Sequence, residues 1–309
     1  MSALICGSLA FDSIATFPGR FSEQLLPHQL HILNVSFLVP TLRREFGGCA
    51  GNIAYNLAGL GGDAIVVAAV GSDGEAYRDR LRSWGAIVDH VSVVTGSLTA
   101  QAFIITDTDN NQITAFHPGA MQSAHETAVP TGKDIRLAII APDGREAMLR
   151  HAEQLGAARI PFVFDPGQGL PMFDGVELRS FIERARWIAV NDYEAQMLSE
   201  RTGMSLEAIS RSHLDGVVVT LGAAGCDVWE KGLRTHVTGV PASSVVDPTG
   251  CGDAFRGALL YGLERGWSLV RCAELGNRLG AVKIGSRGGQ NHFLDGTMLE
   301  SPTGMPRQK

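Results

Sequence analysis

The stretch from Val245 to Phe255 reads V-V-D-P-T-G-C-G-D-A-F, and its residue types and order suit the handling of an anion. Two β-branched residues are expected to close a strand, which Asp247-Pro248 interrupts. Thr249-Gly250-Cys251-Gly252 makes a short glycine-rich loop, and Asp253-Ala254-Phe255 opens a long apolar helix. The first N–H groups of a helix lack intrahelical acceptors and form a ready anion site. A carboxylate in such a site is electrostatically misplaced unless it handles a proton. An anion cradle with a built-in base is the chemistry of phosphoryl transfer to a hydroxyl. The plainer reading makes Asp253 a capping acid at an ordinary strand–loop–helix turn. The Asp-Pro break, two glycines around one residue, and apolar Ala254-Phe255 directly after the acid count against it.

The rest of the chain must position this segment. Its 309 residues, 45% of them apolar, can build one large α/β domain or two small ones. A formal net charge of −6 argues against nucleic acid or an anionic membrane as the main partner, but not against small phosphorylated ligands. The five cysteines, Cys6, Cys49, Cys226, Cys251 and Cys272, are odd in number and contain no C-x-x-C pair. Reduced thiols in a cytoplasmic protein are therefore expected, rather than a disulfide or a zinc site. The N-terminus lacks a basic stretch and meets Asp12 early, and no apolar run is long enough to span a bilayer, so a soluble protein is expected.

Ala3 to Cys6 reads as a short buried strand. Residues 13–46 read as turns and short strands. Gly47 to Asn52 reads as a glycine loop followed by a helix through Leu60, and Ala64 to Val70 as an apolar strand. Thr99 to Thr106 and Gln112 to His117 flank a turn at residues 107–111, a hairpin signal. From Arg136 to Leu221 strands alternate with helices, which implies βαβ units and a mainly parallel sheet covered on both faces. Gly225 to Glu230 and Leu233 to Val240 read as an antiparallel pair, followed by two helices.

With these elements in view, D-P-T-G-C-G-D-A-F resembles the C-terminal signature of the ribokinase-like (PfkB) kinases, usually D-T-x-G-A-G-D. The resemblance implies that the Gly250, Cys251 and Gly252 amides stabilise the transferring phosphoryl group, and that Asp253 deprotonates the acceptor hydroxyl. Pro248 stands where Thr is common and Cys251 where Ala is common; Cys is small and its amide is what matters, so that departure is tolerable. Gly47-Gly48-Cys49-Ala50-Gly51-Asn52 resembles the N-terminal signature, with Gly48 allowing close approach of a sugar and Asn52 bonding hydroxyls. Alone, it is a turn and a helix start. Asn191-Asp192-Tyr193-Glu194 resembles the N-x-x-E motif, which implies that Asn191 and Glu194 organise Mg²⁺ and phosphate largely through water. Its plainer reading is a capping box. Thr220-Leu221-Gly222-Ala223-Ala224-Gly225 resembles the T-x-G-x-x-G turn of the ATP site, bringing in Thr220, Gly222 and Gly225; taken alone, a hairpin turn is its safer reading. Asn277 falls where the family often places an adenine-side contact. Asp247 and Thr249 fall at positions beside a monovalent cation, which leaves K⁺ activation open. No G-x-x-x-x-G-K-[ST] loop occurs, and no G-x-G-x-x-G follows a strand, which disfavours a P-loop kinase and a Rossmann dinucleotide site.

The resemblance covers nearly the whole chain, with its motifs in family order. It implies a ribokinase-like three-layer α/β/α sandwich with a mainly parallel central sheet and a small β-rich lid. Residues 1–12, 47–96 and 119–300 are assigned to the main nucleotide-binding unit, and 13–46 and 97–118 to the lid. Asp12 falls where such enzymes set a carboxylate on sugar hydroxyls; a loop-capping role is its plainer reading. Residues 17–26, 37–39 and 116–121 resemble the bacterial adenosine kinase-like branch. There Phe103 and Phe116 would stack on a purine and Gln168 would meet base or ribose; otherwise the aromatics fill the lid's apolar face and Gln168 is an exposed loop amide. The expectation is an ATP-dependent, Mg²⁺-assisted kinase of a nucleoside 5′-hydroxyl, with adenosine as the expected acceptor and a homodimer through the lid compatible with the sequence. A kinase of ribose, fructose or a related sugar is the first alternative. A non-catalytic nucleoside- or nucleotide-binding regulator is the second, which an intact base at Asp253 disfavours.

Overall fold

The computed structural model describes residues 2–24, 35–109, 111–132, 134–294 and 299. Residues 25–34 of the expected lid, Asn110 of its hairpin turn, and Met1, Lys133, 295–298 and 300 of the expected main unit lie outside the described residues.

In chain order the strands are β1 (Ser2–Cys6), β2 (Ala10–Thr16), β3 (Thr41–Gly47), β4 (Asp63–Gly71), β5 (Val91–Val94), β6 (Ala100–Thr106), β7 (Gln112–His117), β8 (Ile135–Ile140), β9 (Phe162–Phe164), β10 (Trp187–Asn191), β11 (Gly216–Thr220), β12 (Gly225–Glu230) and β13 (Leu233–Thr238). The α-helices are α1 (Phe21–Gln24), α2 (Cys49–Gly59), α3 (Glu75–Ser83), α4 (Arg145–Ala158), α5 (Gly175–Arg184), α6 (Asp192–Thr202), α7 (Leu206–Ser210), α8 (Cys251–Glu264) and α9 (Leu269–Lys283). Nine strands form one sheet in the order β13-β12-β11-β10-β9-β8-β1-β4-β5. From β11 to β5 every neighbouring pair is parallel, and β12 and β13 add an antiparallel edge.

The apolar runs explain this sheet. Strands buried on both faces need no polar alternation. Ala3 and Ile5 of β1 pack into one core with Ile53, Ala54 and Leu57 of α2, Ala258 and Leu259 of α8, and Leu275 of α9. Leu4 and Cys6, pointing the other way, join a second core with Met148 and Leu155 of α4, Phe181 of α5 and Leu198 of α6. Helices on both faces of a mainly parallel sheet make a three-layer α/β/α sandwich, as expected. Among the described residues no helix is long and apolar enough to cross a membrane.

Helix α8 packs directly on α2. A Cβ added at Gly257 would sit 2.6 Å from the Asn56 Cβ and 3.2 Å from the Ile53 carbonyl, so only glycine allows this approach. Asn52 and Asp253 lie one turn earlier on the two helices, and the close contact carries them together.

A second sheet, ordered β3-β2-β6-β7, stands apart from the first. Its register sorts the side chains onto two faces. Asp12 pairs with Glu45 and Ala102, and Ala102 pairs with Phe116, so these share one face. Ser13, Arg44, Phe103 and Ala115 share the opposite face.

Three expected boundaries differ. β2 begins at Ala10 and β3 ends at Gly47, so residues 10–12 and 47 lie in the small sheet rather than the main one. Val245-Val246 ends no strand: the antiparallel edge stops at Thr238, and the amides of Val246 and Asp247 bond the Ile284 carbonyl after α9, at 2.8 and 3.1 Å. The Gly47–Asn52 loop is shorter than expected, because α2 already begins at Cys49.

Candidate active site

The chain leaves β1 toward β4 on one side and later returns to β8 on the other. A crevice opens outside the carboxyl ends of the strands at such a switch. A cleft of about 360 Å³ lies there. It takes Asp165 and Gln168 from after β9, Asn191 and Glu194 from the β10–α6 junction, Thr220 from the end of β11 and Gly222 just after it, and Gly252, Asp253 and Arg256 from the start of α8.

Gly250 caps α8 with φ 79° and ψ 5°, a left-handed conformation suited to glycine. The Cys251 amide, expected in the cradle, donates to the Pro248 carbonyl at 3.2 Å and closes the turn. Gly252 and Asp253 carry the first-turn amides that a helix start leaves for an anion.

The Asp253 carboxylate is held from α2. Asn52 Nδ2 donates to Asp253 Oδ2 at 2.7 Å, and Asn52 Oδ1 accepts from Gln290 Nε2 at 3.0 Å. Gln290 Nε2 also donates to the Tyr77 hydroxyl at 2.7 Å, and that hydroxyl donates to the Gly47 carbonyl at 2.5 Å. Gln290 Oε1 accepts from Arg80 Nε at 3.2 Å. A guanidinium only donates, so Arg80 fixes which way the Gln290 amide faces, and Gln290 then fixes Asn52. Asn52 is 4% exposed, and both ends of its amide are engaged within this chain. Burial pushes the Asp253 pKa up to about 6 and the nearby Asp165 charge adds to it, while the Asn52 bond pulls the other way.

Sequence reasoning missed Arg256, one turn beyond Asp253. Its Nε and Nη2 bond the two carboxylate oxygens of Asp165 at 3.1 and 3.0 Å, and both residues are buried. The available signal was one charge inside the apolar run 254–260. Gln290, Arg80 and Lys283 were also missed; nothing in their local sequence sets them apart.

Asn191 and Glu194 form a full capping box at the start of α6: Asn191 Oδ1 accepts from the Glu194 amide at 2.7 Å, and Glu194 Oε2 accepts from the Asn191 amide at 2.9 Å. The capping reading and the position in the cleft therefore both hold. Burial raises the Glu194 pKa. Gly48 starts α2 with φ 84°, and a Cβ there would lie 2.6 Å from the Ser8 carbonyl. Asp12 projects over Gly47, where a Cβ would come within 2.3 Å of its Oδ2. Burial lifts the Asp12 pKa to about 6, with Asp247 and then Glu45 adding repulsion.

Of the expected binding residues, Asp12, Gly48, Asn52, Phe103, Phe116, Gly225 and Asn277 do not themselves line this cleft. Asn277 Nδ2 bonds the Val237 and Thr238 carbonyls, both at 3.2 Å, which ties α9 to β13. Gly225 is buried at the start of β12, with φ 101°, outside the cleft lining. Phe103 lies on the sheet face opposite Asp12, whereas Phe116 shares the Asp12 face.

Fit to metals differs between the two ions. Asp165, Asp192, Glu194 and Asp253 line the cleft with Arg256 as their cationic counterpart, and hard carboxylate oxygens beside a phosphate cradle suit hydrated Mg²⁺. No group of His, Cys, Asp or Glu among the described residues forms an all-protein metal cage. The K⁺ position at Asp247 and Thr249 does not fit an ion. Asp247 Oδ1 accepts from the Thr249 amide and Oδ2 from the Gly288 amide, each at 2.9 Å, and its carbonyl accepts from Lys283 Nζ at 2.7 Å.

A model of the pfkB family carbohydrate kinases matches residues 10–295. A solved nucleoside kinase from Burkholderia thailandensis, in complex with inosine, superposes with a TM-score of 0.85 at 49% identity, over 94% of this chain and 93% of that one. The same enzyme solved with ADP-inosine superposes with a TM-score of 0.83. A nucleoside kinase from Methanocaldococcus jannaschii is 28% identical over 84% of this chain and 86% of its own. A probable fructokinase-4 from Arabidopsis thaliana is 27% identical over 87% and 90%.

Proposed function

The chain belongs to the pfkB family of carbohydrate kinases, and on that premise we propose that it transfers the γ-phosphoryl group of ATP to the 5′-hydroxyl of a nucleoside. The observation that carries the reading is Asp253: a carboxylate with a pKa lifted to about 6, bonded to Asn52, inside the amide cradle of a helix start.

In this reading Asp253 accepts the 5′-hydroxyl proton as that oxygen attacks the γ-phosphorus. The bond from phosphorus to the β,γ-bridging oxygen breaks and ADP leaves. The amides of Gly252 and Asp253 stabilise charge on the group in flight, and the Arg256–Asp165 pair sets a fixed charge arrangement beside it. Asn191 and Glu194 would hold Mg²⁺ through water, and that ion supplies charge neutralisation of the polyphosphate. Thr220 and Gly222 border the nucleotide. Asp12 takes the ribose diol, Phe116 faces the base from the lid, and Gln168 borders the acceptor. The four-stranded sheet acts as a lid that excludes water.

The nucleoside assignment is supported by the Burkholderia enzyme, solved with inosine. Adenosine and inosine are the purine acceptors we propose. The lid's outer face exposes Leu42, Phe103 and Ile113, a surface that suits a homodimer. Five free thiols suit a cytoplasmic setting.

A panel of nucleosides and free sugars with ATP, read as ADP formation, tests the reading. Turnover with purine nucleosides is expected. Activity on ribose or fructose alone would replace the nucleoside with a sugar, and tight nucleoside binding without turnover would make the chain a binder.

A further inference from the structure

Lys283 is the last residue of α9 and is fully buried. Lysine is almost never fully buried unless its charge is compensated. Here the compensation comes from main-chain carbonyls. Lys283 Nζ donates to the Asp247 carbonyl at 2.7 Å and to the Ser286 carbonyl at 3.0 Å. The Asp247 carboxylate beside it is occupied by the Thr249 and Gly288 amides. Backbone carbonyls from two segments converging on one positive charge are how proteins bind a dehydrated monovalent cation. An ammonium group is a compact charge with similar needs, and here it is covalently attached.

The position matters for the site. Asp247 begins the turn that ends at the α8 cradle, and the Val246 and Asp247 amides are clasped by Ile284 on the other side. The Lys283 charge also acts on Cys251 and Asp253. A cation at this point fastens the 247–250 turn to the end of α9 and adds fixed positive charge behind the anion cradle.

We propose that the Lys283 ammonium takes the place of a monovalent cation beside the α8 start, so that this chain folds and works without K⁺. The catalytic arm of the test rests on the kinase reading; the binding arm does not. Wild-type protein is compared in KCl, NaCl and choline chloride at equal ionic strength. ADP formation should agree within about twofold, and the Tm should show no K⁺-specific gain, because a bound ion would stabilise the fold by mass action. A clear K⁺-dependent rise in either quantity overturns the proposal. Lys283→Met should lose at least about tenfold in turnover in choline chloride and regain it with saturating K⁺, with a parallel K⁺-dependent Tm gain. Crystals soaked in Rb⁺ should show an anomalous peak between the Asp247 and Ser286 carbonyls in the variant and none in the wild type. A folded variant that is indifferent to K⁺ and binds no Rb⁺ contradicts the proposal. If the variant does not fold, the wild-type comparison decides. If wild type turns over no acceptor, the Tm and Rb⁺ results still do.

Discussion

At the residue scale the proposed reaction depends on how Asp253 is held by Asn52. General-base catalysis contributes about 10²–10⁴-fold, so Asp253→Asn should lower kcat by about that factor with KM for the nucleoside largely kept. Only the ionised carboxylate accepts a proton. With its pKa raised to about 6, kcat/KM should fall as pH drops through 6 and level off above 7. Gln290→Leu removes the partner of the Asn52 oxygen and of Arg80 Nε, and one of the two bonds of the Tyr77 hydroxyl. Stability should drop by about 1–3 kcal/mol. The acid limb should also move to higher pH, because a loosened Asn52 no longer favours the Asp253 anion; a purely structural glutamine would leave that limb in place. Asp12→Ala should raise nucleoside KM by about 10- to 100-fold with a small change in kcat, since a carboxylate–hydroxyl bond contributes about 1.5–3 kcal/mol. Asp253 was legible in the sequence because a carboxylate in a glycine-rich helix start is chemically odd. Gln290 was not, because its partners Asn52 and Tyr77 come from distant parts of the chain.

At the element scale the decisive contact is between two helix starts. Gly257 lets α8 lie against Asn56 of α2, and this sets the 2.7 Å bond between Asn52 and Asp253 one turn away. Gly257→Ala should cost about 1–3 kcal/mol through overpacking and lower kcat by displacing Asp253 from Asn52. Normal turnover in a folded Gly257→Ala protein would show that this spacing is not what sets the base. The strands and helices themselves were readable from period and punctuation, as the alternation from β8 to β11 shows. The 239–249 segment was not. Its β-branched Val245-Val246 suggests a strand, but tertiary bonds to Ile284 decide its path. The Asn277 side chain bonds the backbone of β13, a partner that the local sequence does not reveal.

At the scale of the whole molecule, two sheets and their connections must agree on one cleft. The β6–β7 hairpin was visible in sequence, yet only the register separates Phe116 from Phe103. The fold also stores an unfavourable carboxyl. Asp143, after β8, is buried; its Oδ1 accepts from the Gly144 amide at 2.8 Å, while Oδ2 has no hydrogen-bond partner among the described residues. Burial lifts its pKa to about 8. The folded state therefore holds this proton more tightly than the unfolded state, and Asp143 contributes a loss of stability as pH rises from about 4 to about 8. Asp143→Asn should raise Tm at about pH 9 and change it little at about pH 5, as read by thermal scans. The central claim is phosphoryl transfer to a nucleoside hydroxyl by Asp253. Its most direct test is ³¹P and ¹H NMR of wild type and Asp253→Asn with ATP, Mg²⁺ and inosine or adenosine. The wild type should yield a nucleoside 5′-monophosphate and the folded variant almost none. Equal product from both, or phosphate on another position, would contradict the claim.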